Sequence, residues 1–278
     1  MTACASPLLL VLVVLLAVAA GAPAPSSPPP PLLPGAAPPC TIAREPSLSV
    51  AAFRARFKGR APVVFSTAAS PPLPQLRARL SRGALLATHG GAAVTLASSN
   101  SFSHAKRAAT LREYVEEHVD AGVDAQRSAE ETFYLFGDTE RSPHWDSLTR
   151  GYAPPLDSAS DEGLVVFGVG GRGSGVAFHT HGAAFGETIL GAKQWFLSPP
   201  QRKPRFNGSV TQLRWALDRA AGGPGLAHDN DDDDAVLECV VGEGEAVYVP
   251  PGWFHATLNH ANYTVFISTF TLEKGVKF

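Results

Sequence analysis

Apolar positions change their spacing about halfway along the chain. In the first half, Phe53 and Phe57 stand four residues apart after the cap candidate Ser49, which predicts a helix. A second group follows with helical spacing: the cap candidate Thr110, then Leu111, Tyr114, Val115 and His118. Two short apolar runs between these helices, residues 62–65 and 93–96, predict strands. The first half is therefore predicted to be mainly helical.

From residue 133 onwards the pattern consists of short β-branched and aromatic runs separated by Gly and Pro. These runs occupy residues 133–136, 164–169, 176–181, 188–190, 194–197, 236–241, 246–249 and 264–270. One helix interrupts them, and its apolar positions are Val210, Leu213, Trp215 and Leu217. Many short strands with turn signals between them are typical of an antiparallel sandwich or barrel. The second half is therefore predicted to be mainly β.

The N-terminus has a different pattern, because residues 8–20 form one continuous apolar run. This run is short for a membrane span and suits a signal-peptide core, with a cleavage candidate at Ala20-Gly21-Ala22. An uncleaved anchor is the alternative. We predict a signal peptide over residues 1–22, a Pro/Ala-rich linker over 23–39 and a folded domain over 40–278. After cleavage no stable membrane span is expected.

Composition narrows the classes of partner. The chain is 45% hydrophobic and 17% charged, with a formal net charge of -2 and its basic residues scattered. Nucleic acid and anionic membranes are therefore not expected partners. The acidic run 228–234 lacks the ligand spacing of a calcium loop, and we interpret it as a solvated insertion.

The cysteines and the glycosylation sequons bear on the compartment. Once a signal peptide is removed, Cys40 and Cys239 remain, and such a pair in an oxidising compartment is a disulfide candidate. Two buried free thiols are the alternative. Asn207 and Asn262 both match the acceptor pattern for N-glycosylation, with Asn207 in the more turn-like context. The C-terminal residues 273–278 are not a retrieval signal of the Lys-Asp-Glu-Leu type.

Three histidines are candidates for a shared metal site. His179 and His181 lie two apart on a predicted strand, so their imidazoles are expected on one face. His255 follows the tight turn at residues 250–252 and is the candidate third ligand for a divalent metal. Satisfied core histidines are the alternative. Five other histidines lack such a setting and are interpreted as surface or core residues: His89, His104, His118, His144 and His260.

These segments resemble the jumonji-C family of iron and 2-oxoglutarate dioxygenases, members of the cupin superfamily. The resemblance rests on residues 191–195 with Pro199-Pro200, on residues 242–255, and on the Phe53/Phe57 helix followed by residues 60–64. It implies a double-stranded β-helix, or jelly roll, over residues 131–271, preceded by a helical part over 40–130. It also implies that Lys193 pairs with the carboxylate of 2-oxoglutarate.

Two positions depart from the family pattern. The family's His-x-Asp/Glu pair is replaced by His179 and His181, and Val176 stands where some relatives carry a hydroxyl that helps hold 2-oxoglutarate. The resulting three-nitrogen set suits iron or zinc, with Glu187 as a candidate fourth ligand. The first departure puts the family's chemistry in doubt, and the second argues against 2-oxoglutarate binding. Lys193 then either pairs with a dicarboxylate or lies on a face that has lost its ligand.

Two functions remain open. The first is a non-catalytic or weakly catalytic regulator in the lumen of the endoplasmic reticulum that acts through protein partners, for which the resemblance implies roles in inflammatory signalling and metabolism. The second is an active metal- and 2-oxoglutarate-dependent protein hydroxylase or demethylase. The first is favoured because both departures weaken the family's chemistry. A homo-oligomer is compatible with the resemblance, although no stretch of sequence marks an interface.

Overall fold

A computed structural model describes residues 32–33, 40–70, 73–99, 105–123, 127, 132–136, 145–156, 164–222 and 236–271. The predicted signal peptide, most of the predicted linker, the acidic run 228–234 and the C-terminal tail lie outside these residues. Within this part of the chain, no helix has both the length and the apolar character needed to cross a membrane. The described part is mainly β with flanking helices, as predicted.

The strands and helices alternate in the first half and give way to strands in the second. The strands are β1 (Arg44–Glu45), β2 (Val63–Ser66), β3 (Ala93–Ser98), β4 (Lys106–Thr110), β5 (Phe133–Phe136), β6 (Leu164–Gly170), β7 (Gly175–His179), β8 (Ala184–Leu190), β9 (Ala192–Ser198), β10 (Leu237–Gly242), β11 (Glu245–Val249), β12 (Phe254–Asn259) and β13 (Thr264–Phe270). The helices are α1 (Val50–Arg56), α2 (Leu73–Leu80), α3 (Arg82–His89), α4 (Leu111–Tyr114), α5 (Asp146–Thr149) and α6 (Gln212–Ala220), and a π-helical turn (Val115–Val119) extends α4.

Two sheets form the domain. The large sheet has nine strands in the order β1-β2-β11-β8-β13-β6-β5-β3-β4, and the small sheet has four in the order β10-β9-β12-β7. Every pairing is antiparallel except that of β1 with β2. The part predicted as helical, residues 40–130, thus also supplies four strands that extend the large sheet at both edges. A sequence boundary at residue 131 does not separate two structural layers.

Helices cover the outer faces of both sheets. On the small sheet, α6 begins at its cap Thr211, whose hydroxyl accepts a hydrogen bond from the Arg214 amide. Its Trp215 ring meets Phe178 of β7 and Phe196 of β9 edge-on. Leu32, one of two described residues of the predicted linker, is buried in the same cluster. On the large sheet, α2, α3 and α4 bury apolar side chains against β6 and β13. The inner faces are thereby left to form the interior of the jelly roll.

A disulfide joins Cys40 to Cys239 of β10, with an S–S distance of 2.07 Å. The predicted pairing is confirmed, and the alternative of two buried thiols is wrong. The bond fixes the start of the domain to the edge strand of the small sheet. Next to it, the Thr41 amide donates to the Glu238 carbonyl and so continues the attachment by one further hydrogen bond.

Candidate metal centre

The three predicted histidines meet between the two sheets. The ring centroids of His179 and His255 are 4.1 Å apart, and those of His181 and His255 are 4.3 Å apart. One ligand atom from each ring lies within 4.8 Å of the others. The prediction that two neighbouring imidazoles and a distant one share a site is therefore confirmed in geometry.

The local backbone brings them together in a way that differs from the prediction. Strand β7 ends at His179, opposite His255 of β12, so His181 lies in the following turn and not on the strand. The turn is held by the Gly252 amide, which donates to the His181 carbonyl. The predicted strand over 176–181 was thus too long by two residues. His181 reaches the site because this turn packs against the turn that precedes His255.

A bulge in β7 decides which other side chains face the site. His179 pairs with His255, whereas Val176 pairs with Thr257, so two residues of β7 oppose the single Ala256 of β12. A strand with one extra residue keeps the flanking side chains on one face despite their odd spacing. Val176 therefore faces the same cavity as His179, three residues away.

Hydrogen bonds assign the tautomer of each ring. The Nδ1 atom of His179 lies 2.9 Å from the Ala177 carbonyl, that of His181 2.8 Å from the Gly182 carbonyl, and that of His255 2.9 Å from the Trp253 carbonyl. A carbonyl oxygen only accepts, so each Nδ1 must carry the proton and donate it. In a neutral ring the Nε2 atom then carries a lone pair.

These lone pairs converge. The Nε2 atoms of His181 and His255 are 2.9 Å apart, and neither has a proton to share when its ring is neutral. Two facing lone pairs at this distance repel unless a cation lies between them. Metal–nitrogen bonds of about 2.0–2.1 Å at a right angle place two nitrogens roughly 3 Å apart, which matches the observed spacing. The donor set therefore fits a divalent transition metal.

The protein environment keeps the three rings neutral. Burial, followed by the neighbouring His181, lowers the pKa of His179 to about 4. Burial also lowers the pKa of His181, and burial together with the two other rings lowers that of His255. Because only the neutral ring binds a metal, protons compete weakly for this site at neutral pH.

Glu187 does not complete the site, and its candidacy as fourth ligand was wrong. On β8 the neighbouring Gly186 faces inward, where an added Cβ would lie 2.3 Å from the Trp195 ring. Side chains alternate along a strand, so Glu187 points to the outer side. There it faces the hydroxyls of Thr67 and Tyr152 without a hydrogen bond of normal geometry, yet closely enough for them to lower its pKa. Burial outweighs them, and the net pKa of Glu187 is raised.

Lys193 of β9 lies deep in the interior, with 3% of its surface exposed. Its Nζ atom donates to the Asn259 side-chain oxygen at 3.3 Å and lies 3.8 Å from the centre of the Phe266 ring. Burial alone lowers its pKa to about 7, and no carboxylate among the described residues contributes. Lys193 therefore points inward, without an acidic protein partner in this part of the chain.

A cavity of about 40 Å³ adjoins the histidines. Sequence reasoning had placed Val176, His179, His181, Lys193 and His255 there; the structure adds Phe136, Ala184, Phe185, Trp195, Val249, Thr257, Phe266, Ser268 and Phe270. The alternation of side chains along β12 and β13 would have indicated several of these residues if the inward-facing positions had been known. The buried Trp195 indole N–H has no hydrogen-bond partner among the described residues.

The remaining predicted positions lie elsewhere. Asn207 and Asn262 are exposed, the first in a turn before α6 and the second in the turn between β12 and β13 rather than in a strand. His89 bonds to the Ser147 hydroxyl and His260 to the Gln194 side chain, which places both outside the metal cluster. His118 lies beside Arg107, also apart from the cluster. His104 and His144 lie outside the described residues.

The chain is similar in sequence to a known protein family and to several named proteins. The family model described as "JmjC domain, hydroxylase" matches residues 169–268, which include all three histidines and Lys193. An X-ray structure of E. coli ycfD is 14% identical and covers 83% of this chain and 55% of its own, with a TM-score of 0.46. The Arabidopsis thaliana protein called lysine-specific demethylase JMJ21 is 31% identical over 158 residues, 47% of this chain and 16% of its own length.

The jelly roll with a histidine cluster between its sheets thus defines a protein of the JmjC class. Human JmjC domain-containing protein 8 is 37% identical over 232 residues, which is 83% of each chain. The protein of that name from Rattus norvegicus is also 37% identical, over 83% of this chain and 82% of its own. The chain belongs to the family of JmjC domain-containing protein 8.

Proposed function

We propose that the chain is a metal-binding, non-catalytic or weakly catalytic JmjC-like protein of the endoplasmic reticulum lumen that acts through protein partners. The observation that supports it is the convergence of three neutral imidazoles, without a carboxylate in the cluster among the residues that the structure describes. Oxygen-activating iron is typically held by two histidines and one carboxylate, whose charge offsets part of the charge of the metal. His179, His181 and His255 lack that charge.

The residues present fit zinc as well as iron. His179, His181 and His255 would hold the ion through Nε2, and the carbonyls at Nδ1 orient each ring and favour its lone pair toward the metal. A bound ion in such a set supplies Lewis acidity to whatever occupies its open positions. The chain itself keeps the rings neutral and surrounds them with the apolar rings of Trp195 and Phe270.

A lumenal location is supported by the disulfide and by the sequons. Disulfides persist in oxidising compartments, and Cys40–Cys239 closes a long segment of chain. Asn207 and Asn262 are both exposed, as glycan acceptors must be. Together with the predicted signal peptide, these features favour entry into the secretory pathway. Retention in the endoplasmic reticulum and roles in inflammatory signalling and metabolism come from the family resemblance.

Protein partners are favoured over nucleic acid because the net charge is only -2 and the basic residues are scattered. A homo-oligomer is one such assembly. Light scattering of the purified chain measures its molar mass in solution and so tests for a homo-oligomer. A mass equal to that of one glycosylated chain would contradict it.

An active 2-oxoglutarate-dependent hydroxylase or demethylase is the second candidate. Lys193 favours it, because a buried ammonium group without an acidic partner in the described chain suits an anionic cosubstrate. One relative is named a lysine-specific demethylase, which makes demethylation a reaction class to consider for this candidate.

Metal content and cosubstrate turnover distinguish the two candidates. The full chain is secreted from a eukaryotic host, and its metal is measured by elemental analysis alongside conversion of 2-oxoglutarate to succinate. We expect about one metal ion per chain and no turnover above that of His255→Ala. Iron-dependent turnover that is lost in both His255→Ala and Lys193→Met would establish the second candidate. Glycosidase treatment with Asn207→Gln as the control tests entry into the secretory pathway, and an unchanged mobility contradicts it.

A further inference from the structure

The surroundings of Lys193 do not fit the dicarboxylate that this class of site ordinarily takes. The Nζ atom faces the Phe266 ring at 3.8 Å, and its hydrogen bond goes to the neutral amide of Asn259. Val176 brings no hydroxyl to this region. Lys193 and Phe266 both line the cavity of about 40 Å³ that adjoins the histidines.

The position of the Phe266 ring is built into the sheet. Phe266 of β13 pairs directly with Gly168 of β6, and its ring covers that glycine. A Cβ at residue 168 would lie 2.3 Å from the ring, so the ring occupies the space that a side chain there would need. Phe136 supports it from the side, with ring centres 5.5 Å apart. Only 5% of Phe266 is exposed, so the ring is a fixed part of the interior.

The Phe266 ring also provides part of the electrostatic stabilisation that an anion would give to the Lys193 ammonium group. The face of an aromatic ring is electronegative and attracts an ammonium group, by an amount that grows as water is removed. A buried lysine otherwise loses its hydration without compensation. The ring and the Asn259 oxygen together give Lys193 two partners inside the protein, so a ligand carboxylate would have to compete with both.

We infer that Phe266 is the specificity-determining residue of this pocket: its ring occupies the carboxylate side of Lys193 and excludes 2-oxoglutarate from the native chain. Removing the ring uncovers Lys193 and is sufficient to create a carboxylate-binding pocket. The inference deepens the proposed function. It rests on the proposed function because Lys193 lies in the same cavity as the metal site. The predicted gain in 2-oxoglutarate affinity depends on Lys193 and Phe266.

Titration calorimetry with 2-oxoglutarate tests this on the full-length, oxidised, zinc-loaded protein. The variants are Phe266→Ala, Phe266→Leu and the double variant Phe266→Ala/Lys193→Met. Val249→Ala is the control, since it enlarges the same cavity from β11 and leaves the Phe266 ring in place. We expect Phe266→Ala to bind at least tenfold more tightly than the native chain. Phe266→Leu should gain less because it refills the space, and the double variant and the control should gain nothing.

Two results would overturn the inference: native protein that binds 2-oxoglutarate as tightly as Phe266→Ala, or folded Phe266→Ala that shows no gain. If Phe266→Ala fails to fold, NMR of the native chain decides. The Lys193 ε-methylene protons should be shifted upfield by the ring and stay there when 2-oxoglutarate is added, and their displacement contradicts the inference. Zinc content is measured in every sample, so failure of the metal site is seen separately from failure of this inference.

Discussion

Two buried polar centres lie on opposite sides of the large sheet, and burial has opposite consequences for them. Between the sheets, burial keeps His179, His181 and His255 neutral, yet each retains a lone pair directed at a common point. On the outer side, burial raises the pKa of Glu187 above its ordinary value, and the side chain points away from the histidines. A neutral imidazole is a good metal ligand. Desolvation thus prepares the inner centre for a metal, whereas the direction of its side chain keeps Glu187 out of that centre.

The largest expected effect is the loss of metal from the inner centre. His255→Ala should lower the metal content more than tenfold, because two imidazoles alone seldom hold a divalent ion. Glu187→Gln is the matched control on the outer side and should keep the native content. Elemental analysis after dialysis against zinc or iron measures both. Metal loss in Glu187→Gln, or retention in His255→Ala, would erase the distinction between the two centres.

The outer centre should matter for stability instead. Glu187→Ala is expected to lower the free energy of unfolding by about 2 kcal/mol, since it leaves a void beside buried hydroxyls. Glu187→Gln should cost clearly less, because the amide has nearly the same shape as the carboxyl group and leaves no void. Urea denaturation measures both, with Glu117→Ala as an exposed control. Equal losses for the two Glu187 variants would contradict a structural role that depends on filling this space.

The two centres should also respond to pH with opposite sign. The folded pKa of His179, about 4, lies below its ordinary value of 6.5, so its contribution is present above pH 6.5 and is lost as pH falls toward about 4. The folded pKa of Glu187 lies above 4.5, so its contribution is present below pH 4.5 and is lost as pH rises through the folded value.

Urea denaturation of metal-free protein between pH 4 and 7 checks the signs. The native chain should lose about 1 kcal/mol or more on acidification per imidazole that becomes charged on unfolding. Zinc should extend stability to lower pH. The native protein should exceed Glu187→Gln in free energy of unfolding by an amount that grows on acidification, which is the sign opposite to that of the histidines. A native chain that becomes more stable on acidification would show that the outer centre dominates.

The smallest effect is expected from restoring a carboxylate in the inner centre. His181→Asp should retain a metal, because it replaces one ligand by another and adds a negative charge. Its affinity, measured by competition with a coloured chelator, should stay within about tenfold of the native value, whereas His181→Ala should fall well below it. Turnover of 2-oxoglutarate should not appear while Phe266 is in place. Its appearance in the single variant would show that the carboxylate alone had been missing.

The outer centre shows where prediction from sequence failed. Glu187 lies close in sequence to the histidines and is of a ligand type, so it was a reasonable candidate. Side chains alternate between the two faces of β8, so a shift of one residue in the predicted strand moves Glu187 from one face to the other. The ends of β8 and β7 were predicted only approximately, and the bulge in β7 had no local signal. An error of one residue is small for a strand and decisive for a ligand.

The sequence by itself determined the elements that depend on local patterns: the β-rich second half, the helix that carries Leu213 and Trp215, the paired histidines and the turn that delivers His255. It also determined the availability of Cys40 and Cys239 for pairing. Only the tertiary structure decided that residues 40–130 extend the large sheet, that Glu187 faces outward and that Phe266 covers Lys193. These outcomes depend on strand pairing between distant residues, and short-range periodicity carries no information about which distant partner occupies the same space.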